Sequence, residues 1–437
     1  MAGGFGRKRA REQQRVRVDA NGLRRDLIGD AGLDDAALQD LARAVDEQVA
    51  TLDRQRAWLP ALTAPKGDLK KVEALAADAR GAFADLVVIA PGDLALGIRG
   101  LVSALVPATP GADAPTSGAL RVHVLDALDP DRLLGVLARL DLRRTLFDVV
   151  SGTGEALPTI SQFVVVRDRL LRELGAVGYR QHVVVTTQAR DGALRQIVND
   201  EGFRDLVLPD GVTDDAALLT AGALFPVACT GADAGAILAG AAAMAARCRA
   251  VDAAPNPLHL LVAALHLGSA SRIDVTAPAR GALADLGHWI TRRVARRAAL
   301  REGRPAAVPP LTLILAAERP HQDVEIPTSY QDVEGLEYLG GQGLAALAAH
   351  ERDALEVASW RAGRPSLTLT CPELSAHELG QLVALVEAAT SVVRAAPEDG
   401  QGDPARLAFG LANRPGFEAE RAEAQRLAAR REGRYVA

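Results

Sequence analysis

Short, continuous apolar runs separated by stretches of helical periodicity constrain this chain most. Leu86-Val87-Val88-Ile89 is bounded by Asp85 and Pro91, Val122-His123-Val124-Leu125 follows, and then Leu146-Phe147-Asp148-Val149-Val150 and Val183-Val184-Val185-Thr186-Thr187. A strand read as apolar at every position is buried on both faces, which is the pattern of a parallel sheet covered by helices. Between the runs, Leu101 and Leu105, then Leu133, Leu134, Leu137 and Leu140, then residues 159–174 carry helical spacing. Asp129-Pro130 is a helix start, with Asp as N-cap and Pro at the first helical position. Strands alternating with helices predict a doubly wound α/β unit that binds ligands beyond the carboxyl ends of its strands.

A second unit repeats the alternation. Asn256-Pro257 opens a helix, Arg272 to Thr276 reads as a strand, Ala282 to Arg297 as a helix, and Leu311 to Leu315 as a strand. Leu344 to Ala358 reads as a helix, Leu367 to Thr370 as a strand, and Ser375 to Ala388 as a helix with Leu379, Leu382 and Val386 in phase. With 437 residues, two or three packed units are expected. The boundaries fall as follows: a basic tail and N-terminal helices over 1–83, a first α/β domain over 84–250, a second over 251–394, and a loop with a charged C-terminal helix over 395–437. Ala37, Leu38, Leu41, Ala42, Val45 and Val49 form the helical stripe of the first segment.

A formal charge of −5 gives no general attraction to nucleic acid. No helix-turn-helix pattern precedes residue 80, so the basic run Gly6 to Arg11 reads as a solvated tail rather than a nucleic-acid arm that would recruit the fold to regulation. No apolar stretch is long enough to span a bilayer, and no secretory signal opens the chain. Cys229, Cys248 and Cys371 stand in no metal-ligand or CxxC spacing and read as small buried hydrophobes in a reducing cytoplasm. No metal constellation appears. Pro91-Gly92-Asp93 is not a dinucleotide-binding turn, and no cofactor is expected.

An ordered series of segments is similar to the glucose-6-phosphate isomerase family. Leu96-Gly97-Ile98-Arg99 matches the family's Leu-Gly-x-Arg, and Leu128-Asp129-Pro130-Asp131 its Asn-Val-Asp-Pro. Thr145 to Gly154 resembles the strand entering the Ser-Lys-Ser-Gly-Thr-Thr phosphate loop, and Thr159 and Phe163 fall at the family's Thr and Phe. Ala221 to Pro226, Gly235 to Met244, Leu336 to Gly341, Gly363-Arg364-Pro365 and Pro372 to Ser375 continue the series, and Arg414-Pro415-Gly416-Phe417-Glu418 resembles Gln-Pro-Gly-Val-Glu. The resemblance spans residues 80–425. It implies two sugar-isomerase-type domains in a homodimer with active sites near the subunit interface; a non-catalytic homologue would instead be expected to pair with a related subunit.

The aldose–ketose reaction this implies moves a proton between adjacent sugar carbons through an enediol. It needs a carboxylate base, a cation for the oxyanion and a phosphate cradle. At the family's base position stands Arg297, counting back from Glu302-Gly303, or Arg296, counting forward from Trp289. Arg accepts no proton near neutral pH. The stabilising Arg of Gly-Gly-Arg-Phe-Ser falls at Asp215, and the late Lys at Arg421. The phosphate loop keeps Ser151, Thr153 and Gly154, but its two Thr positions become Glu155 and Ala156. A carboxylate ~4 Å from one phosphate charge repels it by about 4 kcal/mol at an effective dielectric of ~20. In the first turn a Gly becomes Asp93 and the Ser becomes Leu94. The ring-opening His aligns near Ser359, with His321 and His350 as neighbouring candidates.

Base, cation and both phosphate turns depart together, while scaffold residues such as Gly97, Pro130, Gly154, Pro226 and Pro415 remain. That combination points to a catalytically inactive or impaired homologue acting by binding a sugar phosphate or another small anion. Ser151, Thr153, Gly154 and Thr159 are the candidate ligand contacts. The alternative is an active phosphosugar isomerase that converges Glu302, Glu155 and His321 on one cleft.

Overall fold

The computed structural model describes residues 15–55, 58–63, 66–106, 118–152, 154, 156–190, 192–250, 256–267, 273–277, 280–298, 310–329, 332–393, 416, 418–419 and 421–422. The basic run at 6–11, the loop over 395–406, Pro415 and most of the C-terminal helix lie outside these residues, as do Thr153, Glu155 and Glu302.

The chain opens with strand β1 (Arg17–Asp19), then helices α1 (Asp35–Arg54) and α2 (Lys66–Ala82). Asp34 caps α1 by accepting from the Ala37 N–H at 2.9 Å. The first sheet unit runs β2 (Asp85–Ile89), α3 (Gly92–Leu105), β3 (Arg121–Leu125), α4 (Pro130–Leu137), β4 (Thr145–Val150), α5 (Leu157–Gly178), β5 (Val183–Gln188), α6 (Ala193–Glu201) and β6 (Arg204–Leu208). Helices α7 (Ala221–Cys229), α8 (Ala234–Cys248) and α9 (Pro257–Leu267) lead to the second unit. That unit contains β7 (Ile273–Thr276), α10 (Arg280–Ala298), β8 (Leu311–Arg319), α11 (Leu344–Arg361), β9 (Ser366–Glu373) and α12 (Ala376–Val392).

The first sheet has the order β3-β2-β4-β5-β6 with every pair parallel. The chain leaves β2 towards β3 on one side and returns to β4 on the other, so strand order reverses between β2 and β4. A doubly wound sheet of this order has its ligand crevice at that switch point, beyond the carboxyl ends of the two strands. Side chains alternate across each strand. Val87, Ile89, Phe147, Val149, Val183 and Val185 face one cluster, with α5 contributing Phe163 and Leu170. Leu86, Val88, Leu146, Val150 and Val184 face the other, which runs without a break into the second sheet through Leu286, Trp289, Leu313 and Leu369.

The second sheet has the order β1-β9-β8-β7, with β7, β8 and β9 parallel. Its edge differs from a purely parallel reading: β1 pairs antiparallel with β9, Val18 facing Leu369. Three residues from the N-terminal segment carry too little pattern to be read as a strand. β6 was equally hidden, because it begins with the charged pair Arg204-Asp205 at the sheet edge.

Two glycine contacts fix the helix layer between the sheets. A Cβ at Gly100 would sit 2.7 Å from the Leu286 nitrogen, so α3 lies directly on α10. At the crossing of α8 and α12, Gly240 faces the His377 carbonyl while Gly380 faces the Ile237 carbonyl. Asp129 caps α4 as expected, accepting from the Arg132 N–H at 3.1 Å. No helix among the described residues is long and apolar enough to cross a membrane.

Candidate functional site

Chain reversal after β4 produces the loop Ser151, Gly152, Gly154, which then enters α5. Its backbone is tied to β5: the Ser151 N–H donates to the Thr186 carbonyl at 3.0 Å, and the Thr187 hydroxyl to the Gly152 carbonyl at 3.2 Å. Ser151 is fully buried, and its hydroxyl accepts from the Gly154 N–H at 3.2 Å. Gly154 has φ +66°, and a Cβ there would lie 2.7 Å from the Leu194 nitrogen, so both conformation and space demand glycine. Ser151 and Gly154 are therefore brought together in one turn. Thr159 sits in the first turn of α5, fully buried, and its hydroxyl has no hydrogen-bond partner among the described residues.

The loop's free donors face a carboxylate. The Gly152 N–H donates to Asp214 Oδ1 at 2.5 Å, and the Ser151 hydroxyl reaches Asp214 Oδ2 at 3.4 Å. Asp214 begins a 3-10 turn, Asp214–Leu219, that leads to α7. Burial pushes the Asp214 carboxyl above its ordinary range, the Gly152 and Ser151 bonds oppose that, and neighbouring Asp215 adds to it. The turn also packs on α3: a Cβ at Gly97 would meet the Leu218 side chain at 2.5 Å, which accounts for the glycine of the Leu-Gly-x-Arg segment.

Next to it, Asp215, at the position the resemblance gives to the stabilising cation, forms an ion pair with Arg293 of α10. Arg293 is 3% exposed and grips Glu387 of α12 through two parallel bonds, Nε to Oε1 at 3.0 Å and Nη2 to Oε2 at 2.7 Å. Burial opposes the charge on Arg293, but Glu387 first, then Asp215 and Asp93, outweigh it and raise its pKa. Asp93, in the first turn of α3, pairs with Arg292 at 2.6 Å. Asp93 and Asp215 are thus each neutralised by one of two consecutive arginines. Those arginines precede by one helical turn the positions assigned to the missing base.

Sequence reasoning did not single out Asp214, Arg292, Arg293 or Glu387. A signal existed: Leu286, Trp289, Ile290, Arg293 and Val294 share one helical stripe, and a charge inside an apolar stripe must be paired. Arg297 lies in α10, but its side chain is outside the described structure, and Arg421 lies in the short C-terminal stretch. His321 bonds the Ala104 carbonyl at 2.9 Å, at the far end of α3 from Asp93. Eleven residues of helix separate those two positions, ~16 Å at the usual rise. His321 thus sits at the end of α3 away from Asp93. Ser359 is buried and its hydroxyl donates to Thr312 Oγ1 at 3.3 Å, while His350 is exposed. A cleft of about 780 Å³ opens elsewhere, at the antiparallel edge of the second sheet beside Asp19, Glu318, Arg352 and Thr368, and contains none of the loop residues.

No family model matches the chain. Curated relatives do. It is 31% identical to the glucose-6-phosphate isomerase of Symbiobacterium thermophilum over 82% of this chain and 86% of that one. It is also 31% identical to that of Rubrobacter xylanophilus, over 70% and 77% of the two chains. The glucose-6-phosphate isomerase structure from Chlamydia trachomatis superposes with a TM-score of 0.73, covering 98% of this chain and 94% of that one at 15% identity, a likeness of fold. A hypothetical protein, TT0462 from Thermus thermophilus, superposes with a TM-score of 0.68 at 26% identity, covering 86% and 93% of the two chains. With relatives this similar over most of both chains, the chain belongs to the glucose-6-phosphate isomerase family.

Proposed function

We propose that this chain is a catalytically silent or severely impaired member of its family that acts by binding, as a homodimer or paired with a related subunit, in the cytoplasm. What supports the reading is a pair of ion pairs: Asp93 and Asp215, which the resemblance assigns to the family's phosphate-turn and cation positions, are neutralised by Arg292 and Arg293 from within the chain. The substitutions form one internally compensated set rather than isolated losses. An enediol oxyanion developing beside Asp215 meets a carboxylate, and the nearest buried guanidinium, Arg293, is already committed to Glu387 and Asp215.

Ser151 and Gly154, with Thr153 by sequence, are the remaining contacts for a sugar phosphate or similar small anion. Thr159 belongs to them by sequence and is closed off in the first turn of α5. Support for association comes from apolar side chains left in solvent beyond β8: Val324 is 61% exposed, Tyr338 63% and Leu344 54%. Three buried free thiols suit a reducing compartment.

A coupled assay for conversion of fructose 6-phosphate to glucose 6-phosphate, at high protein concentration, tests the reading. Turnover no greater than that of a mock purification is expected. Turnover that co-purifies with the chain and disappears when Ser151 is replaced would refute it.

A further inference from the structure

The donors of the loop after β4 are already engaged, by a side chain from the chain itself. The Gly152 N–H and the Ser151 hydroxyl form the kind of cradle that takes anionic oxygens, with α5 beginning just beyond. Asp214 offers two such oxygens, one to each donor. Carboxylate and phosphoryl oxygens accept the same charge-assisted bonds, so they compete for the same seat.

We propose that Asp214 is a built-in competitor for this loop, so that the loop accepts a phosphoryl anion only when the Asp214–Leu219 turn swings away. This rests on reading Ser151 to Gly154 as the family's phosphate loop. It goes further in naming the residue that sets the charge the loop tolerates.

The turn is anchored on three sides. Asp215 pairs with Arg293, and through it with Glu387 on α12. The Thr213 hydroxyl donates to Asp215, which fixes the approach to the turn. Leu218 packs in the space left by Gly97 on α3. The seat and the interdomain ion pair therefore use adjacent residues of one short turn. Loop occupancy by an outside anion and the placement of Asp214 exclude each other, so each must weaken the other by the same factor.

Calorimetric titration with inorganic phosphate and with glucose 6-phosphate, on the wild type and on Asp214→Ser and Asp214→Asn, tests this. Removing the carboxylate is expected to tighten anion binding by about tenfold or more. Asn, which keeps an acceptor for the Gly152 N–H, should fall between wild type and Ser. The gain should disappear when Ser151→Ala is added. Equal affinity in wild type and both variants overturns the proposal, as does a gain that survives Ser151→Ala. If Asp214→Ser fails to fold, the comparison of Asp214→Asn with wild type decides it alone. Turnover is measured separately on the same samples. Wild-type turnover sinks the silent-homologue reading and leaves this comparison standing, whereas absent turnover with unchanged binding sinks only the competitor.

Discussion

Arg293 and Glu387 face each other across two parallel hydrogen bonds, 3.0 and 2.7 Å long, with 3% and 6% of their side chains exposed. The Arg is reached at the same time by Asp215 from the first α/β unit, so one guanidinium joins α10, α12 and the turn before α7. Breaking a buried pair leaves charge uncompensated, which costs far more than the intact pair contributes. Arg293→Met should destabilise the protein by about 3–5 kcal/mol in urea unfolding. Adding Glu387→Leu and Asp215→Asn to it should recover much of that loss. Wild-type stability in the single variant would show that the triad is solvated.

Asp148 lies in the middle of β4, fully buried, with one oxygen accepting from the Thr186 hydroxyl at 3.0 Å. Burial pushes its carboxyl from 3.8 up to about 8, against that hydrogen bond. The folded state thus favours the neutral acid, while the unfolded chain ionises near 3.8. Stability is fully present below that value and is lost as pH rises towards 8. Asp214 and Glu378, also raised by burial, push in the same direction. The wild type minus Asp148→Asn difference in unfolding free energy should therefore fall by a few kcal/mol between about pH 4 and pH 8. A difference that stays flat across that window would contradict the buried neutral acid.

The crossing of α8 and α12 depends on two glycines, each lying against a carbonyl of the other helix. A methyl group at Gly240 meets the His377 carbonyl, and one at Gly380 meets the Ile237 carbonyl, both backbone atoms that cannot turn aside. Gly240→Ala and Gly380→Ala should each destabilise by about 1–3 kcal/mol or more, although alanine is the better helix former. The two effects should fall short of additive, since one displacement relieves both contacts. A stabilising effect of either would mean that the helices stand further apart.

Cys229, Cys248 and Cys371 are all buried and free. Burial pushes Cys248 and Cys371 up to about 12, and Cys229 higher still. None presents a thiolate at neutral pH. The native protein should leave a disulfide reagent such as DTNB unreacted, and all three thiols should titrate once it is unfolded. Fast labelling of the native state would reveal an opening near one of them.

Much of the architecture was legible because burial on both faces leaves a plain mark. Leu86 to Ile89 and Val183 to Val185 could be little else than central parallel strands. β1 and β6 were not legible, since an edge strand of three to five residues with charges at its ends carries no such mark. At the site, the sequence pointed to Ser151 and Gly154, and the structure puts both in the turn after β4. The sequence could not show that Asp214 turns into the loop, because a single residue of a short 3-10 turn has no periodicity to give its direction. The pairing of Asp93 with Arg292 and of Asp215 with Arg293 joins positions 199 and 78 residues apart, and only the packing of α3 and of the Asp214–Leu219 turn near α10 brings them together.

The most direct test of the central claim follows the proton that an isomerase must remove. Glucose 6-phosphate incubated with the protein in D2O would exchange its C2 hydrogen for deuterium if any group in the crevice formed the enediol, even when net conversion is too slow to detect. Proton NMR of the C2 signal reads this directly. If, as proposed, an Arg stands at the base position and Asp215 at the cation position, the signal should persist at the rate of a protein-free control. Loss of the C2 signal that scales with protein concentration and stops in Ser151→Ala would show that the crevice still carries a working base.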